Sequence, residues 1–379
     1  MRVPFLDLRA QDAAIGGAIR EALAEVVATQ QFILGPHVAR FETAMASYCG
    51  VTHAIGVASG TDALALALAA LGAGPGRAVV TTPFSFFATA STIVRVGARP
   101  LFADIDPDTL NIDPAAAAAV ADRHGAAVAG ILPVHLFGRL APMASLRELA
   151  ARRGLWMLED AAQAVGARDG GVAAGAFGIA GCLSFYPTKN LGGLGDGGMI
   201  LTSDEALASG VRQDRHQGQR APYVHDSIGL ASRLDALQAA ALGVKLLYLD
   251  AWNARRREVA AWYGSGLREA GLAGRDDAPL RLPDEAGGSH VFHQYVIRAR
   301  ARDALRDSLT AAGIDTQVYY SLPLHLQPAL AHLGHREGEF PQAERASREV
   351  LALPIYPELS REATETVVEA ITRFYRARG

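Results

Sequence analysis

Between residues 50 and about 205, short apolar runs alternate with longer segments of helical period. The runs are HAIGV (53–57), AVVTT (78–82), RPLFAD (99–104), AAVAGILPV (126–134), GLWMLED (154–160), GCLSFY (181–186) and GMILT (198–202). Between them, TDALALALAALGAG, FFATASTIVRVGA and MASLRELAARRG place apolar residues at helical spacing and close near a glycine, as a helix stop does. Strands apolar on both faces and separated by helices predict an α/β fold with a mostly parallel sheet covered on both sides. Ligands of such sheets sit at the carboxyl ends of the strands.

The texture changes after about residue 235. One long helical pattern (233–267) leads into a Gly, Asp and Pro-rich break at 271–288, a strand-like VFHQYVIRA (291–299), a helix around 302–312 and a last helix at 361–377. An alanine-rich helix is expected near 115–121. The pattern predicts a large domain over 1–250, including an N-terminal arm, and a smaller C-terminal α+β domain over 251–379, hinged by the long helix.

Composition narrows the function. Half of the 379 residues are hydrophobic and a fifth are charged, so a large core is available. The net charge is −3 with both signs mixed along the chain, which argues against nucleic acid or an anionic membrane as partner. Cys49 and Cys182 are far apart and lack CxxC or His-rich company, so neither a disulfide framework nor a metal site is predicted. The start of the chain lacks the apolar core of a signal peptide, and no apolar run approaches the roughly 20 residues that span a bilayer. A soluble, cytoplasmic protein is expected.

Three polar sets fall where strands should end. In ASGTDAL (58–64), Ser59, Gly60 and Thr61 open a helix, an arrangement that binds phosphate and that also serves as a simple helix cap. In EDAAQA (159–164), Glu159 and Asp160 close a strand and Gln163 follows one turn later; a cap of the next helix reads the same way. In SFYPTKNLGGLGDGG (184–198), Lys189 precedes the glycines, whereas a nucleotide-phosphate loop places its lysine after them. A lysine here either snorkels to the surface, or meets a carboxylate or a covalent partner at a buried strand end. Taken together, the sets supply what pyridoxal 5'-phosphate needs: helix N–H groups and hydroxyls for its phosphate, an acid for its pyridine nitrogen and a lysine for its aldehyde. PFSFF (83–87) adds an aromatic to cover the ring.

With FLDL (5–8), FILGP (32–36), DIDPDTLNID (104–113), PVHLFG (133–138), SRLDALQAA (232–240), YYSLPLHLQP (319–328) and LALPIYP (351–357), these motifs resemble the DegT/DnrJ/EryC1/StrS family of pyridoxal phosphate-dependent sugar aminotransferases over nearly the whole chain. The resemblance implies the three-layer, aspartate aminotransferase-like transferase fold. It implies that Lys189 forms the Schiff base, that Asp160 pairs with the pyridinium, that Gln163 lies near the ring oxygen and Phe86 on the ring, and that Gly60, Thr61 and Ser184 hold the phosphate. Some family members carry histidine for this lysine and dehydrate a sugar, so Lys189 points to transamination, with glutamate as amino donor and a nucleotide-linked keto sugar as acceptor.

The segment 215–235 resembles the family loop that enters a neighbouring subunit's site, implying a homodimer with shared active sites. The family commonly has Gly-x-Asn-x-Arg there; this chain has Gly229, Ala231 and Arg233. Arg233 remains as a cofactor contact, while Asn190 and His225 are candidates to replace the missing asparagine. YYSLPLHLQP is similar to the form in members that aminate C-3 of the sugar rather than C-4. Tyr320, His325, Gln327, His216 and Tyr223 are the candidate substrate contacts, and His135 and His225 resemble them in setting. Packing roles stand as the alternative for the histidines. Two other functions share the cofactor residues: amination of a keto-cyclitol or other small ketone, and a regulatory or binding protein without turnover.

Overall fold

The structure is a computed structural model that describes residues 2–284 and 287–378. All seven apolar runs form strands of one sheet: His53–Val57, Ala78–Thr81, Arg99–Phe102, Val128–Leu132, Trp156–Asp160, Ala180–Ser184 and Gly198–Thr202. Their spatial order, by first residue, is 53, 198, 180, 156, 128, 78, 99. The strands from 99 through 180 run parallel, and Gly198–Thr202 lies antiparallel between His53–Val57 and Ala180–Ser184. The sheet is thus mostly parallel, and the reversal brings the beginning of the 198 strand to the edge where its neighbours end.

Helices cover both faces because the intervening segments carry the caps for them. Ser59, Asp113, Asp204 and Asp235 each accept a backbone N–H in the first turn of the helix that follows. Ahead of the sheet, helices Leu8–Thr29 and Pro36–Cys49 pack on Ala236–Leu246, burying Ile15, Ile19 and Val26 against alanines 236, 240 and 241.

The long pattern at 233–267 is two helices, Ala236–Leu246 and Leu249–Glu269. The break falls without Gly or Pro because the two halves bury different faces. Ala239 and Leu242 belong to the core against the sheet, whereas Val259, Ala260, Tyr263 and Leu267 belong to the C-terminal core. Helical period alone does not register that change of direction.

The C-terminal core packs those residues with Leu305, Leu309, Val367 and Ile371 against a three-stranded antiparallel sheet, Leu280–Arg281, Tyr295–Ala299 and Val350–Leu353. Val3 is buried in this core and bridges Ile314, so residue 3 is fastened to the C-terminal core. No helix of the described residues is long and apolar enough to cross a membrane.

Candidate active site

A cavity of about 520 Å³ opens at the carboxyl edge of the large sheet. Its first wall is the start of helix Gly60–Ala70. The Ser59 hydroxyl accepts the Asp62 N–H at 3.1 Å, which leaves the Gly60 and Thr61 N–H groups as first-turn donors without helical partners. A Cβ on Gly60 would lie 2.7 Å from the Ser184 Cβ, so the helix start and the end of strand Ala180–Ser184 meet only because residue 60 is glycine.

The second wall is the end of strand Trp156–Asp160. Asp160 is buried, its Oδ2 accepting from Thr89 Oγ1 at 2.8 Å and its Oδ1 from the Ala162 N–H at 3.3 Å. Burial raises its proton affinity, and these donors together with the nearby Lys189 charge oppose the rise. The preceding Glu159 points the other way into a closed cage, and His135 belongs to that cage rather than to the cavity: its Nδ1 accepts the Ala141 N–H, leaving Nε2–H to donate to Glu159.

Lys189 stands opposite, just past strand Ala180–Ser184. Burial brings its ammonium down to about 8, against the pull of the Asp160 carboxylate. The glycines that follow pack against protein rather than opening toward a ligand; a Cβ on Gly192 would strike the Pro187 carbonyl at 2.2 Å, while Gly197 is the one that lines the cavity.

Gln163 is held at both ends. Its Oε1 accepts the Phe137 N–H at 2.6 Å and its Nε2 donates to Tyr320 Oη at 2.7 Å. Phe137 and Tyr320 both adopt left-handed backbone at φ 57°, and their rings stack at 5.8 Å. Such conformations persist where surroundings over-determine them, and they gather at functional sites. Burial holds the Tyr320 phenol far above its ordinary proton affinity, so it stays protonated.

Gly60, Thr61, Phe86, Asp160, Gln163, Ser184, Lys189 and Tyr320 therefore line one cavity. Phe86, 61% exposed, is left uncovered there, as is Tyr186, 54% exposed. Five other candidates lie outside that lining. His325 is fully buried with its Nε2 3.1 Å from Glu344, and Gln327 donates to the Leu322 carbonyl. Arg233 donates to His216 Nδ1 at 2.6 Å. Tyr223 stands 95% exposed between the short strands Gln219–Ala221 and Val224–His225. Of the candidate replacements for the asparagine at 231, Asn190 donates to Asn253 and the Val291 carbonyl, and His225 is exposed with its Nδ1 bound to the Gln217 carbonyl.

The sequence reading missed Ser85, Thr89 and His293. The first two carried a signal, since hydroxyls gather at helix starts. His293 is a polar position inside an apolar run. Its Nδ1 meets Asn190 Oδ1 at 3.1 Å, and burial with the charges of Lys189 and Arg256 keeps it neutral.

The chain matches the DegT/DnrJ/EryC1/StrS aminotransferase family over residues 13–372. It is 48% identical over 377 residues to a protein of Geobacillus stearothermophilus named pleiotropic regulatory protein, spanning 99% of each chain. It is 44% identical over 371 residues to the dTDP-3-amino-3,4,6-trideoxy-alpha-D-glucose transaminase of Streptomyces venezuelae, spanning 98% of this chain and 95% of that one. The crystal structure of S. venezuelae DesV in complex with a ketimine intermediate superposes with a TM-score of 0.93 at 43% identity, covering 98% of both chains. Motifs, cavity and likeness agree along almost the full length, and the protein belongs to the DegT/DnrJ/EryC1/StrS aminotransferase family.

Proposed function

We propose that this protein is a pyridoxal 5'-phosphate-dependent aminotransferase that takes nitrogen from glutamate and delivers it to a keto carbon, C-3 in preference to C-4, of a nucleotide-linked deoxy or uronic sugar. One observation carries the reading: an amine, Lys189, and a carboxylate, Asp160, face a single cavity whose third wall is a helix N-terminus with free donors. That donor set fits the cofactor. The Gly60 and Thr61 N–H groups with the Thr61 and Ser184 hydroxyls would hold the phosphate. Asp160 would face the ring nitrogen, Gln163 the ring oxygen and Phe86 one ring face, with Lys189 at the aldehyde carbon.

Bound pyridoxal phosphate supplies an electron sink for charge developing at the substrate carbon. The chain's own residues do the rest. Lys189, with its ammonium lowered to about 8, is, as a free amine, a base within roughly one pH unit of neutrality. Asp160, in the ionised form that Thr89 and the Ala162 N–H donate to, would accept from the ring nitrogen. The Phe137 N–H and the Tyr320 phenol fix which end of the Gln163 amide faces each partner. Tyr320, at the cavity, would touch the sugar; the C-3 preference draws on the S. venezuelae relative's name and on YYSLPLHLQP.

The same reading includes a homodimer. Tyr223 and Ile228 project almost wholly into solvent from the 215–235 segment, and apolar groups so presented suit burial by a second copy. His216, Arg233 and this segment would then complete the partner's cavity. The name of the G. stearothermophilus relative favours a regulatory protein without turnover as the second reading.

An absorbance scan with pyridoxal phosphate, before and after glutamate, beside Lys189→Ala, tests the proposal. A visible band that glutamate bleaches and the variant lacks supports it. No band in the wild type sinks it and brings the regulatory reading forward. A band that glutamate leaves unchanged removes the donor assignment. Nucleotide keto sugars assayed against keto-inositols separate sugar from cyclitol.

A further inference from the structure

We propose that a hydroxyl chain from Ser85 through Thr89 to Asp160 fixes the side of the contact between Asp160 and the cofactor's ring nitrogen on which the proton rests, an inference that depends on the cofactor assignment above. Thr89 Oγ1 lies 2.8 Å from Asp160 Oδ2, and toward the ionised carboxylate, which only accepts, the single Thr89 hydrogen is committed to Asp160. Ser85 Oγ lies 2.9 Å from Thr89 Oγ1, and with the Thr89 hydrogen already used, Ser85 is the donor. The chain therefore has one direction.

The geometry comes from local sequence. Ser85 lies just before the extended N-cap Phe86 of helix Phe87–Arg95 and Thr89 is in the first turn, and the chain's entry into the helix brings the two hydroxyls within 2.9 Å of each other beside the end of strand Trp156–Asp160. Ser85 and Thr89 are 4% and 0% exposed, so water does not take their place. Ser85 also lines the cavity. Thr89 is a positioning residue here, acting through Asp160.

The groups around Asp160 set the problem that the chain solves. Lys189 comes from the glycine-rich turn, His135 from the segment after strand Val128–Leu132, Glu159 from the same strand, Cys182 from the adjacent one and Tyr320 from the C-terminal part. Burial favours a protonated Asp160, and an Asp160 that kept the proton would leave the ring nitrogen neutral and the electron sink weak. Hydroxyl donation favours the carboxylate and so leaves the proton on the ring. One proton is shared between Asp160 and the ring nitrogen, and none passes along the chain.

Thr89→Val keeps the shape and removes the hydrogen, Thr89→Ser restores it, and Ser85→Ala shortens the chain. The first readout is the NMR signal of isotope-labelled ring nitrogen in the holoenzyme near neutral pH. The valine variant should move toward the unprotonated pyridine position, the serine variant should return, and Ser85→Ala should move part of the way. The second readout needs no cofactor: the carboxyl titration of labelled Asp160 in the apoprotein, assigned by its loss in Asp160→Asn. Its midpoint should rise by about one pH unit or more in Thr89→Val, the size of one hydrogen bond to a charged group. If the valine variant fails to retain cofactor, this midpoint decides, and an unmoved one overturns the proposal. An unmoved ring-nitrogen signal in a valine variant that binds cofactor overturns the proposal alone. Wild-type protein that takes up no pyridoxal phosphate overturns both the proposal and the cofactor assignment beneath it.

Discussion

Glu159 and Asp160 are consecutive buried carboxylates with opposite surroundings. Four donors close on Glu159: His135 Nε2 and the N–H groups of Gly175, Phe177 and Gly178, all within 2.6–2.8 Å. Asp160 receives Thr89 and Ala162 and turns its remaining capacity to the cavity. Alternation along the strand sends the two side chains to opposite faces, one to hold the fold and one to hold a ligand.

Glu159→Ala leaves four donors without their acceptor, two of them in buried contacts, and should cost about 3–5 kcal/mol of stability, the range for breaking one side of a buried charged network. Asp160→Ala should cost the apoprotein far less and should lose turnover and most of the cofactor. Denaturant unfolding of both apoproteins, with cofactor retention after dialysis, checks the contrast. Equal destabilisation would contradict it.

On the proposed role of Lys189, cofactor capture needs its free amine. With its ammonium lowered to about 8, the rate of pyridoxal phosphate uptake by apoprotein should climb with pH and level near 8 rather than near the ordinary value of 10.5. Asp160→Asn removes the attraction that favours the ammonium, so its plateau should come at lower pH. Because the folded-state value lies below the unfolded one, the cost of the charged lysine is present below about 8 and is relieved between about 8 and 10.5. Lys189→Met should therefore stabilise the apoprotein at neutral pH and lose that gain above 10.5. Stopped-flow uptake and unfolding measured across pH test both statements.

Gln163 and Tyr320 should behave as one unit. Tyr320→Phe strands a buried amide hydrogen, at a cost of about 1–3 kcal/mol. Once Gln163→Leu is present, the same change should cost much less, giving a coupling energy within about 0.5–3 kcal/mol in a double-mutant cycle. Additive losses would mean that the 2.7 Å contact does not hold the amide.

The exposed 215–235 segment gives an assembly prediction. Ile228→Lys and Tyr223→Asp should shift the protein from dimer toward monomer in sedimentation experiments and lower activity with it. Hybrids of Lys189→Ala with Arg233→Ala chains should recover activity that neither has alone, since one of the two shared sites then holds both side chains. A fully active monomer would remove the shared-site reading.

The sheet was legible because each strand is apolar on both faces and bounded by helical period; all seven runs landed in place. The site was legible in part, since Lys189, Asp160 and the Ser59–Thr61 turn follow strands directly and the chain order fixes which edge they share. What escaped were partners distant in sequence. Nothing in SFYPTKN indicates that Asn190 will bind His293, or in EDAAQA that Gln163 will bind Tyr320. The turn from one helix to the next at Leu247–Tyr248 escaped for a similar reason: it is set by two separate cores rather than by any local breaker.

The bridge between Val3 and Ile314 has a consequence for synthesis. Two segments far apart in sequence meet there, and the cavity wall supplied by His293, Gln294, Tyr319 and Tyr320 is made only after the large sheet, whose last strand ends at Thr202, has been synthesised. Contacts of such separation form late because loop closure precedes any reward. A nascent chain can finish its large sheet on the ribosome while still lacking the rest of the pocket. Cofactor uptake should then follow assembly of the sheet, and a chain cut between the end of that sheet and residue 293 should keep much of the sheet's secondary structure and hold the cofactor far more weakly.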